Sequence, residues 1–334
     1  MGNVKFGVLG CGNISDAHIT ALTAVDGVEL YAICDVNRNR AEEYAAKYKV
    51  KAFTDYEKML KDENLDAVAI CTPSGMHKNQ ALLALLANKH VIVEKPMALT
   101  SEDCTELCLA AERSDKILSV VFQLRFDTDI QKARKIIEDG TLGTLAFCDL
   151  YMKYWREDSY FTESSWRGTF KMDGGGALMN QGIHGIDVIN YLFGVPKVLG
   201  AKVKTRAHNI ETEDTAVAIV EYPSGALGVI EASTSSNPGF HRRLEINGSR
   251  GYMTLVESTI EKLFVDGKML IDKELSSSGG AASDPKATSH EGHIKHYTNF
   301  LRALDGKENL ISSAKDGYNA VSLIEKIYKK SSEM

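Results

Sequence analysis

The sequence predicts two domains: a doubly wound α/β domain with a parallel sheet over residues 1–124, and an α+β domain with a large, mostly antiparallel open sheet over residues 125–334. Three observations carry this. Up to Phe122, short apolar runs alternate with amphipathic segments, as strand–helix–strand units do. From Ala146 onward the strand-like runs lengthen and are joined by turn residues, Pro223-Ser224-Gly225 and Asn247-Gly248-Ser249 among them. A chain of 334 residues is also long enough for two cores.

Val4 to Leu9 alternates poorly and reads as a strand buried on both faces. Gly10-Cys11-Gly12-Asn13-Ile14-Ser15 follows, then an amphipathic helix carrying Ile19, Leu22 and Val25. The first glycine permits a tight strand-to-helix turn, and the second has no side chain to block a pyrophosphate. The third position, usually glycine so that helix and strand pack closely, is Ser15. Amides at the helix start, around Asn13 and Ile14, would face phosphates, where the helix dipole favours negative charge. An ordinary tight turn has the same spacing, so the continuation decides. Val28 to Cys34 is a second strand, and Asp35 follows it, about twenty residues past the glycines. A carboxylate there accepts hydrogen bonds from both adenosine ribose hydroxyls and repels a 2′-phosphate. The expectation is a Rossmann unit holding NAD rather than NADP. Arg38 and Arg40 just beyond leave NADP open, since an arginine can accommodate that phosphate.

The elements then run as a helix at Arg40–Tyr48, a short edge strand at Lys51–Phe53, a helix at Tyr56–Lys61 and a buried strand at Ala67–Cys71. Thr72-Pro73-Ser74-Gly75 is a loop at that strand's carboxyl end, the side where open sheets bind ligands. A helix at Met76–Lys89, a strand at His90–Val93 and a helix at Ser101–Ser114, with Ser101 as its expected cap, lead to a closing strand at Leu118–Phe122. The join falls near Gln123–Asp127. Beyond it, strands are expected at Ala146–Tyr154, Val198–Ala207, Thr215–Tyr222, Ala226–Ser233, Arg242–Asn247, Gly251–Val256, Ile260–Val265 and Lys268–Ile271. Helices are expected at Ile130–Glu138, Gly182–Phe193, Gly292–Leu304 and Ser312–Lys330, and a flexible Ser/Gly loop at Ser276–Ser283.

Composition narrows the function. A formal charge of −6 provides no overall basic field for nucleic acid or an anionic membrane. No apolar run approaches a bilayer's thickness, and the N-terminus lacks a signal-peptide core. The six cysteines are scattered without Cys-x-x-Cys spacing, which suits buried free thiols in a reducing cytoplasm. His290, His293 and His296 are spaced by three, but no His-Glu-x-x-His pattern accompanies them, and no metal is expected.

Three segments carry candidate chemistry. Glu94-Lys95-Pro96 sits at the carboxyl end of a buried strand, where Lys95 could reach a nicotinamide ribose and a substrate hydroxyl and stabilise a developing alkoxide. Position alone also fits a solvated lysine. Gly174-Gly175-Gly176 allows a close backbone approach and launches a helix on which Asn180, His184 and Asp187 are expected to share one face. An imidazole titrates near neutrality and suits taking a proton from an alcohol. A helix histidine can equally be a satisfied core residue. Tyr154-Trp155-Arg156 and Trp166-Arg167 hold both tryptophans of the chain, and aromatic faces with arginine forks suit sugar rings, bases and carboxylates or phosphates. The same composition suits a subunit contact. Arg125, at the join, completes the substrate-binding candidates.

Read together, Gly10-Cys11-Gly12 with Asp35, Cys71-Thr72-Pro73 with His77, Glu94-Lys95-Pro96, and Gly174-Gly175-Gly176 through Asn180, His184 and Asp187 resemble the glucose-fructose oxidoreductase / inositol dehydrogenase / MocA family. The resemblance spans essentially the whole chain. It implies a sugar or polyol dehydrogenase in which Lys95 and His184, from separate domains, form the catalytic pair, with Thr72, Pro73, His77 and Glu94 beside the cofactor. Many members have aspartate where this chain has Asn180; an asparagine can orient a hydroxyl but cannot accept a proton. The Trp155-Arg156 to Trp166-Arg167-Gly168 segment resembles the branch that oxidises C3 of UDP-N-acetylglucosamine or its uronic acid. The family likeness also implies a homodimer or homotetramer formed through the outer face of the second sheet. Two other functions use the same cofactor unit: a non-catalytic NAD-binding sensor, which would not need Lys95 and His184 together, and a sugar oxidoreductase that recycles tightly held NAD.

Overall fold

The structure is a computed structural model that describes residues 3–273 and 290–333. The loop expected at Ser276–Ser283 lies outside the described residues. The chain forms two compact units, one running to Gln123 and regaining the segment that ends at Tyr318, the other running from Leu124 and regaining Asn319 onward.

The first unit holds a six-stranded parallel sheet: β1 (Val4–Leu9), β2 (Val28–Cys34), β3 (Lys51–Phe53), β4 (Ala67–Ile70), β5 (His90–Val93) and β6 (Leu118–Val120), in the order 3-2-1-4-5-6. That order places the switch point between β1 and β4, where a ligand crevice opens at the strands' carboxyl ends. Helices α1 (Ser15–Ala24), α2 (Arg38–Tyr48), α3 (Tyr56–Leu60), α4 (His77–Leu86) and α5 (Ser101–Ser114) supply the crossovers. Every residue of β4 is buried, as continuous apolar runs require in a sheet covered on both faces. Helix α5 is capped by Thr100, whose side chain accepts from Asp103 N–H, and not by the expected Ser101. Both residues are hydroxylated, and only the backbone conformation separates the cap from the first helical position. The expectation gave all of residues 125–334 to the second domain; in the structure a late helix, Glu291–Leu304, belongs to the first unit and sends Tyr297 and Phe300 into the same core as Phe6.

The second unit is built on eight strands: β7 (Leu145–Lys153), β8 (Lys197–Lys204), β9 (Thr215–Glu221), β10 (Leu227–Ser233), β11 (Arg243–Gly248), β12 (Gly251–Val256), β13 (Thr259–Val265) and β14 (Lys268–Asp272). Their order is 14-13-12-11-7-10-9-8, and all neighbours are antiparallel except β10 and β7. Strand β7 alternates buried and less buried residues, with Cys148, Leu150 and Met152 inward. Outward, Phe147, Val217, Ile219 and Leu227 remain exposed, and Leu227 pairs directly with Phe147. Helices α6 (Thr128–Glu138), α7 (Asp158–Thr162), α8 (Phe170–Asp173) and α9 (Ile183–Phe193) belong to this unit. Helix α9 lies close against the sheet, because a methyl at Gly185 would press on Met152 and Leu150 of β7. No helix among the described residues is long and apolar enough to cross a membrane. All six cysteines are free, and burial pushes the Cys11, Cys34 and Cys148 thiols up to about 12.

Candidate active site

In the first unit, the chain leaves β1 through Gly10, whose φ of +96° favours glycine; an added methyl would also stand 2.9 Å from the Cys71 carbonyl oxygen. Gly12 differs. It is exposed, and an added Cβ would meet nothing within 4 Å. Ser15 fills the third motif position without loosening the turn, because its buried hydroxyl donates to Gly12 O at 2.6 Å and its amide donates to the same oxygen at 3.1 Å. Asn13 is exposed and Ile14 half-buried at the helix start. Asp35 is held beside this loop by two amides: Cys11 N–H donates to Oδ2 and Asn37 N–H to Oδ1, each at 2.8 Å. Each oxygen keeps acceptor capacity for a hydroxyl. Arg38, in the first turn of α2, is exposed and pairs with Glu42 at 3.4 Å. The open ground at Gly12, the free amide end of α1 and the fixed carboxylate fit a dinucleotide's pyrophosphate and ribose.

Lys95 follows β5 at the same carboxyl edge, half-buried, on a backbone tied down from two sides. The buried His77 imidazole lies between two carbonyl oxygens, Pro96 O at 2.7 Å and Thr72 O at 2.8 Å, and so links the loops after β4 and β5. Burial drives its pKa below the ordinary value, against the pull of both carbonyls. Thr72 and Pro73 stand half-buried on that loop. Glu94 turns its carboxyl inward: Oε1 accepts from His18 Nε2 at 3.0 Å, and Oε2 accepts from Lys95 N–H at 3.2 Å. Burial alone would raise that carboxyl, but the hydrogen bond from His18 and the nearby His293 ring outweigh it and hold it well below the usual carboxylate range. Burial pulls His18 down, so the neutral ring donates from Nε2 and receives the Tyr297 hydroxyl at Nδ1, 2.8 Å away. His293 Nε2 lies 3.7 Å from Glu94 Oε1, and the donor-type atoms of His18, Glu94 and His293 all fall within 4.8 Å. Sequence reasoning missed this anchor. His18 lies on the apolar stripe of α1 with Ile19 and Leu22, where a buried polar partner was the only available signal.

In the second unit, Gly174-Gly175-Gly176 leads into a π-helical turn, Ala177–Gly182, that runs directly into α9. Here Gln181 N–H reaches back to Gly176 O at 3.4 Å, a five-residue bond, while Asn180 N–H meets the same oxygen at 3.0 Å. The single-face expectation for Asn180, His184 and Asp187 assumed a uniform α-helix; the structure has a π-turn up to Gly182 and an α-helix beyond it. Asp187 is buried and receives both Nε (2.8 Å) and Nη2 (2.7 Å) of the buried Arg125, whose guanidinium also stacks 4.7 Å from the Tyr191 ring. Arg125 and Asp187 thereby form a fork-to-fork ion pair. His184 is half-buried in the first turn of α9.

Asn180 donates to the carboxylate of buried Asp173 and accepts from Gln181 Nε2 at 2.6 Å and Tyr160 OH at 3.3 Å. Gln181 Oε1 receives Nε and Nη2 of buried Arg156 at 3.1 and 2.7 Å. Arg167 lies 4.1 Å over the Tyr160 ring and 5.5 Å from Trp166. Tyr154 is buried and Trp155 half-buried beside this network. The structure thus joins Asn180, Arg156 and Arg167 through Tyr160 and Gln181, two residues the sequence reading did not count among the site.

Comparisons with known proteins match both parts of the chain. The family profile described as "Oxidoreductase family, NAD-binding Rossmann fold" matches residues 4–122, and "GFO/IDH/MocA C-terminal domain" matches residues 130–254. The chain is 31% identical over 256 residues to myo-inositol 2-dehydrogenase of Thermotoga maritima, covering 74% of each chain. It is 26% identical to D-glucoside 3-dehydrogenase of Escherichia coli, over 98% of this chain and 95% of that one. Among solved structures, the WlbA dehydrogenase of Bordetella pertussis in complex with NADH and UDP-GlcNAcA superposes with a TM-score of 0.86 at 30% identity, covering 99% of this chain and 97% of that one.

Proposed function

The chain belongs to the Gfo/Idh/MocA family of NAD-binding oxidoreductases, a dehydrogenase acting on CH–OH groups, and from that premise we propose that it oxidises a secondary hydroxyl of a nucleotide sugar of the UDP-N-acetylglucosamine class at C3, with NAD as cofactor. The observation that carries the cofactor half is the sheet edge: the open Gly12 loop, Asp35 and the doubly anchored Lys95 all lie at the carboxyl ends of one parallel sheet. The carboxylate at Asp35 favours a ribose with both hydroxyls free, hence NAD, and Arg38 is occupied with Glu42. The sugar half rests on the Tyr160–Gln181–Arg156 and Arg167 network and on the likeness to the UDP-GlcNAcA-bound dehydrogenase.

Lys95 and His184 serve as the catalytic pair. Bound NAD would supply the hydride acceptor for the carbinol carbon. His184 receives the hydroxyl proton as the C–O bond becomes a carbonyl, and the Lys95 ammonium donates a hydrogen bond to that oxygen and stabilises its growing negative charge. Asn180, held by Asp173, orients a hydroxyl and carries no proton. Lys95→Met should lower turnover roughly 10²–10⁴-fold while NADH still binds, read as reduced-nicotinamide absorbance and as NADH fluorescence. Near-normal turnover in that variant sinks the pair. Wild-type enzyme assayed with UDP-N-acetylglucosamine, its uronate, myo-inositol and glucose tests the substrate class; a preference for the free polyol refutes it. The exposed row Phe147, Val217, Ile219 and Leu227 suits a homo-oligomer formed sheet to sheet, which sedimentation would read as a dimer or tetramer. The six free thiols suit a reducing cytoplasm.

A further inference from the structure

One residue outside every candidate list holds the start of the π-turn. Glu213 is buried between β8 and β9 in sequence and meets three successive amides of the glycine-rich entry. Gly176 N–H donates to its Oε2 at 3.0 Å, Leu178 N–H to its Oε1 at 2.8 Å, and Ala177 N–H to its backbone oxygen at 2.9 Å. The Tyr328 hydroxyl donates to Oε1 at 3.0 Å. Consecutive amides at a helix start form a concave anion site; here the anion is supplied by the chain itself. The fit leaves no slack: a methyl on Gly176 would overlap the Glu213 carbonyl oxygen, and one on Gly175 would overlap the Tyr328 hydroxyl.

We infer that Glu213 is a positioning residue: by capturing the amides of residues 176–178 it fixes the phase of the π-turn and, through it, the placement of Asn180 and His184. The inference rests on the proposed role of His184. A carboxylate is required because the atoms facing it are donors. An amide in its place would turn an N–H₂ group toward at least one backbone N–H or toward the tyrosine. Only the entry to the helix would loosen, since α9 itself is held on the sheet through Gly185 and by the Arg125–Asp187 pair. A displacement near 1 Å at a reacting group is enough to lower turnover about 10²-fold.

The test is Glu213→Gln in the full chain, with two readouts. Amide hydrogen exchange over residues 174–184 should rise at least tenfold while exchange in β1–β6 is unchanged. With UDP-N-acetylglucosamine and NAD as probes, kcat should fall 10- to 100-fold, with NADH affinity and the KM for NAD within twofold of wild type. A folded variant with wild-type exchange in that segment, or with kcat within threefold of wild type, overturns the inference. If the wild-type protein turns over none of the probe, the proposed substrate class fails, and the exchange measurement alone decides the clamp. If Glu213→Gln does not fold, Tyr328→Phe decides: exchange over residues 174–184 raised at least threefold supports the clamp, and unchanged exchange overturns it.

Discussion

At Gly12 an added side chain would stand in open ground with nothing within 4 Å, whereas at Gly176 it would run into the backbone of Glu213. Both glycines sit in glycine-rich turns that launch helices, and both turns gather amides around a carboxylate. In the first, Asp35 stands at the side, fixed by the amides of Cys11 and Asn37, and the helix end remains open for a ligand's phosphates. In the second, Glu213 occupies the amide nest itself. Two turns of similar composition therefore differ in what they hold: the first leaves open ground at Gly12, and the second is filled by its own chain. Glycine marks close approach in both, and what approaches differs.

The contrast breaks most sharply at Gly176. Gly176→Ala forces its methyl against a backbone oxygen that cannot rotate away, so overpacking should lower stability by about 3 kcal/mol, seen as a lower denaturation midpoint. A variant as stable as wild type would mean that the second turn is as open as the first. Gly12→Ala is the opposite case. Its thermal midpoint should stay at the wild-type value, while NADH binds about tenfold more weakly, a difference of roughly 1.4 kcal/mol, because the methyl enters the room kept for phosphate. Unchanged NADH affinity would move the pyrophosphate away from this loop.

A pH experiment sharpens the comparison at the first region. Burial depresses the pKa of His77 below its ordinary value of 6.5, so the folded state holds this ring neutral where an unfolded chain would take up a proton. The stability it contributes is complete above 6.5 and is lost as pH falls toward the depressed folded value. Thermal midpoints measured from neutral pH downward should decline less steeply in His77→Gln than in wild type. Equal slopes would show that burial does not keep this ring neutral in the folded state.

Much of this arrangement was legible in the sequence because its signals are local. The buried β4 run, Asp35 at the end of β2 and the turns at Pro223-Ser224-Gly225 each depend on a few adjacent residues, and the structure places strands within a residue or two of most of the expected ends. The unread parts are long-range. Nothing near β7 says that it pairs in parallel with β10, three strands later in the chain. Nothing near Gly176 announces Glu213, since an acidic residue before a strand reads as a turn. Likewise the Arg125–Asp187 pair joins residues 62 apart, and nothing in either segment says that the fold brings them together. The π-turn escaped because five-residue bonds leave no periodic signature over so short a stretch.

Ser15 offers the smallest and most local test of the contrast between the turns. It stands where a third glycine would let helix and strand approach, and its fully buried hydroxyl bonds Gly12 O while its own amide bonds the same oxygen. Ser15→Ala removes the hydroxyl bond and keeps the amide bond, and Gly12 is exposed, so its carbonyl can turn to water. The loss should be about 1 kcal/mol or less in stability. Its effect on NADH should be weaker than that of Gly12→Ala, since the hydroxyl faces back into the loop and not toward the open ground. Ser15→Gly, which restores the usual motif, removes the same bond and adds backbone freedom at the helix start, so it should be less stable than Ser15→Ala by a further half to one kcal/mol. If Ser15→Gly instead proves the more stable of the two, close packing and not the hydroxyl bond is what the third position supplies, and the open turn is held by its fit to the sheet in the way the filled turn is held by Glu213.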